Sequence, residues 1–302
     1  MIDIVLHILL VITMPPLLLG VINKTKAAFA GRVGPPLLQA YFDMIRLFRK
    51  GSVFSDTTTW IFRAGPVVSL AAVAAAALLI PLGNHPAPIS FSGDMVLFAY
   101  LLGLARFFTM AAALDTGSSF EGMGAAREAT FSCLAEPTLF MALIVLARLS
   151  RTLSLSTMLT SPSDSTWISA GAAMLLLVGA LFTVVLVENC RIPFDDPNTH
   201  LELTMIHEVM VLDHSGPAFG YILYGASIKL MILGAFFIHI AFPFSTGNSL
   251  SDWGIFIVSM LFLAVAIGVV ESTMARLRLL RIPQLLVAAC ILSAFAMLLI
   301  LR

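Results

Sequence analysis

Eight stretches of 18–23 residues, each nearly free of charge, run through the 302-residue chain at about 2–22, 66–83, 95–114, 129–149, 167–187, 219–241, 254–271 and 284–301. An apolar run of about 20 residues is what an α-helix needs to cross the roughly 30 Å hydrocarbon core of a bilayer. In lipid every backbone N–H and C=O must bond within the protein, and a helix satisfies them inside one segment. The sequence therefore predicts an all-α integral membrane protein, a bundle of about eight transmembrane helices forming one domain over residues 1–302. Hydrophobic residues make up 59% and charged ones 11%, with mean hydropathy +0.99, against about 45–50% and about 25% in soluble domains. The longest gap, 23–65, is too short for a soluble domain, and NHPAP, SPSDS and FPFSTGN punctuate the spans. No internal repeat is visible, unlike the inverted repeats of many secondary transporters. Lysines follow the first run and no basic segment precedes it, so it reads as a retained span rather than a cleaved signal.

Basic residues give an orientation. Loop 23–65 carries seven Lys/Arg, and Arg127, Arg191, Arg276, Arg278 and Arg281 fall in alternate loops on the same side. The opposite side holds Arg148, Arg151 and Arg302, while Arg106 and Lys229 lie inside spans. Positive-inside bias places the main loops in the cytoplasm and both termini outside. The zero net charge and the lack of a basic tract give no reason to expect nucleic acid. Cys133, Cys190 and Cys290 are far apart with no C-x-x-C, so the chain encodes no iron–sulfur or zinc site and each reads as a small buried side chain.

Acids do not set topology, yet they cluster too. The segment ENCRIPFDDPNTHLELTMIHEVMVLDHSG (188–216) holds Glu188, Asp195, Asp196, Glu202, Glu208 and Asp213, and Asp115, Glu121, Glu128 and Glu136 belong to the same side. That is ten of the 17 acids on or under one face. Ion pairing with nearby arginines accounts for single members; for the group, a proton path or a docking surface is the sharper reading, because ionisable groups in a membrane are functional candidates by default.

Arg106 is mid-span in LLGLARFFTMAA and needs a partner or a wet cavity. Glu136 precedes Pro137, whose missing N–H frees a carbonyl; a desolvated carboxyl there would have a raised pKa, suited to a proton carrier, and the plainer alternative is a neutral hydrogen-bonded Glu. Lys229 could counter Glu136 or Glu188, and Glu271 could pair with Arg276 or Arg278. His200, His207 and His214 recur every seven residues, but the spacing is not H-E-x-x-H and no metal site is predicted. The pattern favours an amphipathic helix on the cytoplasmic surface over 199–213, capped by Asp195-Asp196-Pro197-Asn198-Thr199, with Leu201, Met205, Val209 and Leu212 inward. No nucleophile–base pair, cofactor loop or metal ligand set is present, so the chain alone is not a catalyst.

Four ordered motifs then carry a resemblance: GRVGPPLLQAYFDMIRLFRKG (31–51), GMGAAREATFSCLAEPTL (122–139), ENCRIPFDDPNTHLEL (188–203) and MARLRLLRIPQLL (274–286). They resemble, in order and over nearly the whole chain, the subunit 1 family of respiratory complex I, a membrane subunit that anchors a soluble arm and walls a quinone cavity. Departures from that family point to a branch. Its S-Y-E is Leu134-Ala135-Glu136 here, the stretch after Pro193-Phe194-Asp195 is about three residues longer, and Ala226 stands near where a Glu is common, with Lys229 following. This version is similar to the anchor subunit of group 4 membrane-bound [NiFe] hydrogenases, of hydrogenase-4 and membrane-bound hydrogenase type, with the formate hydrogenlyase anchor more distant on this segment.

The resemblance implies partners rather than chemistry in the chain itself. These are a [NiFe] large subunit and iron–sulfur small subunits carrying the [NiFe] centre and [4Fe–4S] clusters, antiporter-like membrane subunits, and lipid. As a relay to H+ or Na+ translocation it nominates Glu136, Glu188, Asp195, Asp196, Glu202, Glu208, Asp115, Arg106 and Lys229. As a docking and cavity surface it nominates Arg32, Gly34, Pro35, Asp43, Arg46, Arg127, Arg191, Arg276 and Arg278. A passive anchor held by the arginines, a quinone-cavity subunit of a complex I, and a stand-alone transporter are the competing readings.

Overall fold

The computed structural model describes residues 2–160, 164–195, 205–243 and 245–301, apart from the side chains of 164–166 and 169. Its helices are α1 (Ile2–Phe29), α2 (Gln39–Phe48), α3 (Trp60–Ala77), α4 (Asp94–Asp115), α5 (Ser119–Ser150), α6 (Leu155–Thr160), α7 (Asp164–Glu188), α8 (Gly216–Ala241), α9 (Ser249–Thr273) and α10 (Ile282–Leu301). Eight helical segments are long and apolar enough to cross a membrane, one for each predicted run. They alternate in direction. The ends of α1, α4, α7 and α9 therefore gather with the starts of α3, α5, α8 and α10 at one polar end of the bundle. Helix α8 is the most enclosed, with 67% of its apolar window buried, whereas α4 and α10 reach only 28% and 22%. The site described below thus has α8 behind it and the outward face of α4 in front.

Two helices run well past their apolar cores. Helix α1 continues to Phe29 because Lys24, Lys26, Ala27 and Ala28 are sound helix formers. It stops only at Gly31 (φ +65°), where Arg32 N–H donates to the Ala27 carbonyl at 2.9 Å and Gly31 N–H to Ala28 at 3.2 Å, the glycine-closed Schellman ending. Helix α5 begins at Ser119, ten residues before the predicted span, and its 32 residues measure about 48 Å. Only Thr116–Ser118 separates α4 from α5, so Glu121 and Glu128 stand on a helix, not in a loop.

The predicted helix over 199–213 is corrected. Residues 199–204 lie outside the described residues, and 205–213 form turns with a single 3₁₀ turn at Val209–Val211. The physical cause is competition for the backbone. The Asp195 carboxylate accepts the N–H groups of Ile206 (3.3 Å) and His207 (3.1 Å), and Arg127 donates to the Met205 carbonyl (2.8 Å). Met205 and Val209 do face inward, but Leu212 is exposed. This loop seats on α5 at Gly124, where a Cβ would come within 2.3 Å of Val209. Gly124→Val is expected to lift the loop while leaving membrane insertion intact, seen as faster proteolysis of 205–213. The chain's amphipathic surface helix is instead α2, with Tyr41, Met44, Ile45 and Phe48 at i, i+3, i+4 and i+7. Cys133 is a smaller correction: it faces outward on α5 rather than inward.

Candidate functional site

Arg106 stands near the middle of α4 and is met by three acids from two other helices. One arm of the guanidinium bonds Glu136 of α5, the other forks onto both oxygens of Glu188 at the end of α7, and Nε lies 3.4 Å from Glu128 of α5. Glu188 also takes Lys229 Nζ of α8 at 2.7 Å, and Glu128 faces His207 Nδ1 at 3.6 Å. The result is an alternating chain of charge, Lys229–Glu188–Arg106–Glu128–His207, with Glu136 as a branch. Charges this deep persist only when paired and hydrogen-bonded. The side chains of Arg106, Glu128 and Glu188 are almost enclosed, but Glu136 is 44% exposed. Glu136 is therefore an ion-paired acid at the outer edge of the cluster, in place of the lone desolvated carboxyl expected from the sequence.

Two cavities meet at this cluster. An inner one of about 100 Å³ is lined by Arg106, Glu128, Glu188, Cys190, His207 and Lys229. Burial pushes the Cys190 thiol well above its ordinary range, with the nearby Glu128 charge adding to it, so that wall is neutral. An outer cavity of about 360 Å³ opens between α4 and α5 beside Tyr100, Leu104, Phe107, Glu136 and Phe140. Arg106 and Glu188 line both and stand between them.

A second buried cluster braces the polar end. Glu271 of α9 pairs with Lys26 of α1 at 2.9 Å and Arg191 at 3.4 Å, not with Arg276 or Arg278. Arg276 goes to Asp195 at 2.6 Å. The short reach from Glu271 to Arg276 along the sequence is broken because α9 ends at Thr273 and the chain turns away, with Leu277 N–H bonding the Pro193 carbonyl.

The expected site residues thus separate. Arg106, Glu136, Glu188 and Lys229 come together. Asp195 belongs with Arg276, and Glu208 follows His207 in the loop. Asp196 and Glu202 lie outside the described residues, as does His200. Asp115 is elsewhere altogether: it caps α3, accepting Thr59 N–H (2.7 Å), the Thr59 hydroxyl (2.8 Å) and Phe62 N–H (3.2 Å), which satisfies orphan donors of a helix N-terminus. Among the docking residues, Arg32, Gly34, Pro35, Arg46 and Arg278 are exposed, Asp43 is half-buried and bonded by Gln39, and Arg127 holds the Met205 carbonyl. Arg191 is a correction. It is 8% exposed and tied to Glu271, so it braces the loop from within and presents no surface to a partner.

His214 shows what the loop's packing costs a titratable ring. It stacks on Phe62 at 4.0 Å between centroids, and burial lowers its pKa from 6.5 to about 4. With the loop undocked the ring binds a proton near pH 6.5, and docked only near 4, so the undocked state holds more protons between those values and docking weakens as pH falls through that window. Hydrogen exchange of residues 205–215, corrected for intrinsic rate, is expected to accelerate from pH 6.5 down to about 4 and to be flat above 7.

Residues 2–302 match the family described as NADH dehydrogenase. The chain belongs to the NADH dehydrogenase subunit 1 family. Within the family it is similar to formate hydrogenlyase subunit 4 of Escherichia coli (strain K12), 31% identical over 90% of this chain and 89% of that one. It is equally similar to hydrogenase-4 component C of the same organism, at 31% over 91% and 87%. Over the whole chain, then, the formate hydrogenlyase relative is no more distant than the hydrogenase-4 one. A subunit of the NADH-quinone oxidoreductase of Rubrobacter xylanophilus is 29% identical over 57% of this chain and 53% of that one. The fold matches a chain of the membrane-bound sulfane sulfur reductase (MBS), an archaeal respiratory membrane complex, at TM-score 0.85 and 21% identity, covering 99% and 98% of the two chains.

Sequence reasoning about this family member passed over Glu128, His207, Lys26 and Glu271 as a working set. Glu121 and Glu128, seven residues apart, share one helical face, which was a usable signal for Glu128 once α5 was extended. Nothing local could pair Lys26 with Glu271, since that contact joins the first and seventh membrane spans.

Proposed function

We propose that this chain is the membrane anchor and coupling subunit of a multisubunit, energy-converting [NiFe] hydrogenase of the hydrogenase-4 or formate hydrogenlyase kind. Its exposed loops at the polar end face the cytoplasm and hold the soluble arm, whose subunits carry the [NiFe] centre and the [4Fe–4S] clusters. Its membrane cluster passes the energy of electron transfer to antiporter-like subunits as H+ or Na+ movement. The observation that carries this reading is the buried charge chain itself, running from a loop at the polar end to a half-exposed carboxylate at mid-membrane depth. A carboxylate facing bare lipid is costly, so Glu136 beside Tyr100, Phe107 and Phe140 marks a face that another membrane subunit covers. The near full-length likeness to the two hydrogenase-type relatives, against the partial likeness to a quinone-reducing subunit, favours a hydrogenase over a complex I.

Tagging the chain tests the first half: it is expected to bring down subunits containing nickel and iron. For the second half, complexes carrying Glu136→Gln or Glu188→Gln are expected to keep dye-linked hydrogen turnover while ion translocation in proteoliposomes falls at least about a hundredfold, the scale of losing one positioned acid–base group. Undiminished translocation in both variants removes the relay.

A further inference from the structure

Among the described residues, the cluster around Arg106 sets three carboxylates (Glu128, Glu136, Glu188) against two cations (Arg106, Lys229), one negative charge more than the cations match. The sixth member is His207, the one imidazole among the described residues of the inner cavity wall. Its side chain is 32% exposed while Glu128 behind it is 11% exposed, so His207 touches both the outside and the buried chain. Its position is fixed from two directions. Asp195, itself held by Arg276, grips its backbone N–H, and Arg127 grips the loop two residues earlier at Met205.

We infer that His207 is the proton-loading residue of this cluster, taking protons at the polar end and delivering them to Glu128; this rests on the relay reading above. The other charged groups around it are Arg106 on α4, Arg127 on α5, Glu188 and Lys229 across the cavity, and Asp195 and Glu208 on its own loop. Imidazole is the side chain that both binds and releases protons near neutral pH. A proton arriving from water bonds to Nε2, while the proton on Nδ1 passes to Glu128 Oε2. The Nδ1–H bond breaks, an O–H bond forms on Glu128, and the ring is again neutral with its tautomer exchanged. The 3.6 Å gap from Nδ1 to Glu128 is closed by a small ring rotation or one bridging water. Neutralised Glu128 no longer competes for Arg106, and the two remaining carboxylates, Glu188 and Glu136, then balance Arg106 and Lys229.

The test uses the whole complex in proteoliposomes, with dye-linked hydrogen turnover as the control for an assembled arm. His207→Ala is expected to lower proton translocation about a hundredfold, the scale of one acid–base group, and added imidazole is expected to restore much of it. His207→Gln, which keeps polarity and bulk but cannot shuttle a proton, is expected to fail as fully. Normal translocation in both His207 variants, with Glu188→Gln inactive, overturns the assignment and leaves the relay standing. Normal translocation in all three overturns both. A loss in His207→Ala that imidazole does not repair, with His207→Gln normal, makes the ring a structural prop and overturns the assignment as well.

Discussion

Arg106→Leu is expected to leave almost no folded subunit in the membrane. Among the described residues the guanidinium is the sole contact joining Glu128, Glu136 and Glu188 to one another, and leucine would leave three carboxylates facing one another, with Lys229 reaching Glu188. Breaking one buried pair costs about 3–5 kcal/mol because the surviving charge stays buried. Several such losses, even far from additive, rival a total stability of about 5–15 kcal/mol. Arg106→Lys is expected to be milder but still damaging, since an ammonium cannot fork onto Glu188 while reaching both other acids. The triple change Arg106→Leu, Glu128→Gln, Glu136→Gln is expected to recover accumulation, because it removes the two stranded carboxylates and leaves Glu188 paired with Lys229. Thermal melting of the purified subunit and its amount per unit of membrane measure all three. A melting point for Arg106→Leu within a few degrees of the unaltered chain would mean that the cluster adds nothing to the fold.

How much of this was readable beforehand follows the range of each interaction. The eight spans were legible because lipid imposes length and apolarity residue by residue, with no help from tertiary contacts. Their ends were not. Helix α5 reaches Ser119 because Glu121 finds Asp213 N–H and Arg127 finds the Met205 carbonyl, partners about 80 to 90 residues away along the chain. The 199–213 segment failed in the opposite sense. Its capping residues and spacing argued for a helix, and one of those capping acids, Asp195, took the N–H groups of Ile206 and His207 instead. Arg106 announced that it needed a partner without naming one, since Glu136 and Glu188 reach it only when α5 packs beside α4 and α7 packs on α5. Asp115 was hard to place for a related reason. An acid at the end of a span has the same local signature whether it carries protons or caps a neighbouring helix, and only the nearness of Thr59 decides.

The two buried clusters divide the labour between holding and moving. The first lies along the two cavities and ends on an outward face; the second ties α1, α9 and the 189–195 turn together and lines neither cavity. Asp195 links them, because one of its oxygens holds Arg276 and the other holds the backbone of His207. A disturbance of the brace should therefore reach the relay through loop position, and a disturbance of the relay should not reach the brace.

Glu271→Gln tests that asymmetry. The carboxylate has no exposure and serves both Lys26, 25% exposed, and Arg191, 10% exposed. Lys26 can turn toward water, whereas Arg191 is left buried without its counter-charge, so most of the expected cost of about 3 kcal/mol falls on the 189–195 turn. Gln is close to Glu in size, so packing against α1 at Gly268 is undisturbed. The expected result is a subunit that still inserts, melts several degrees lower, and loses the soluble arm when the complex is washed in detergent and salt. Glu188→Gln is expected to behave in reverse, keeping the arm and losing translocation. If Glu271→Gln instead retained the arm through the wash, the second cluster would not be what holds the arm, and the exposed loops alone would have to account for docking.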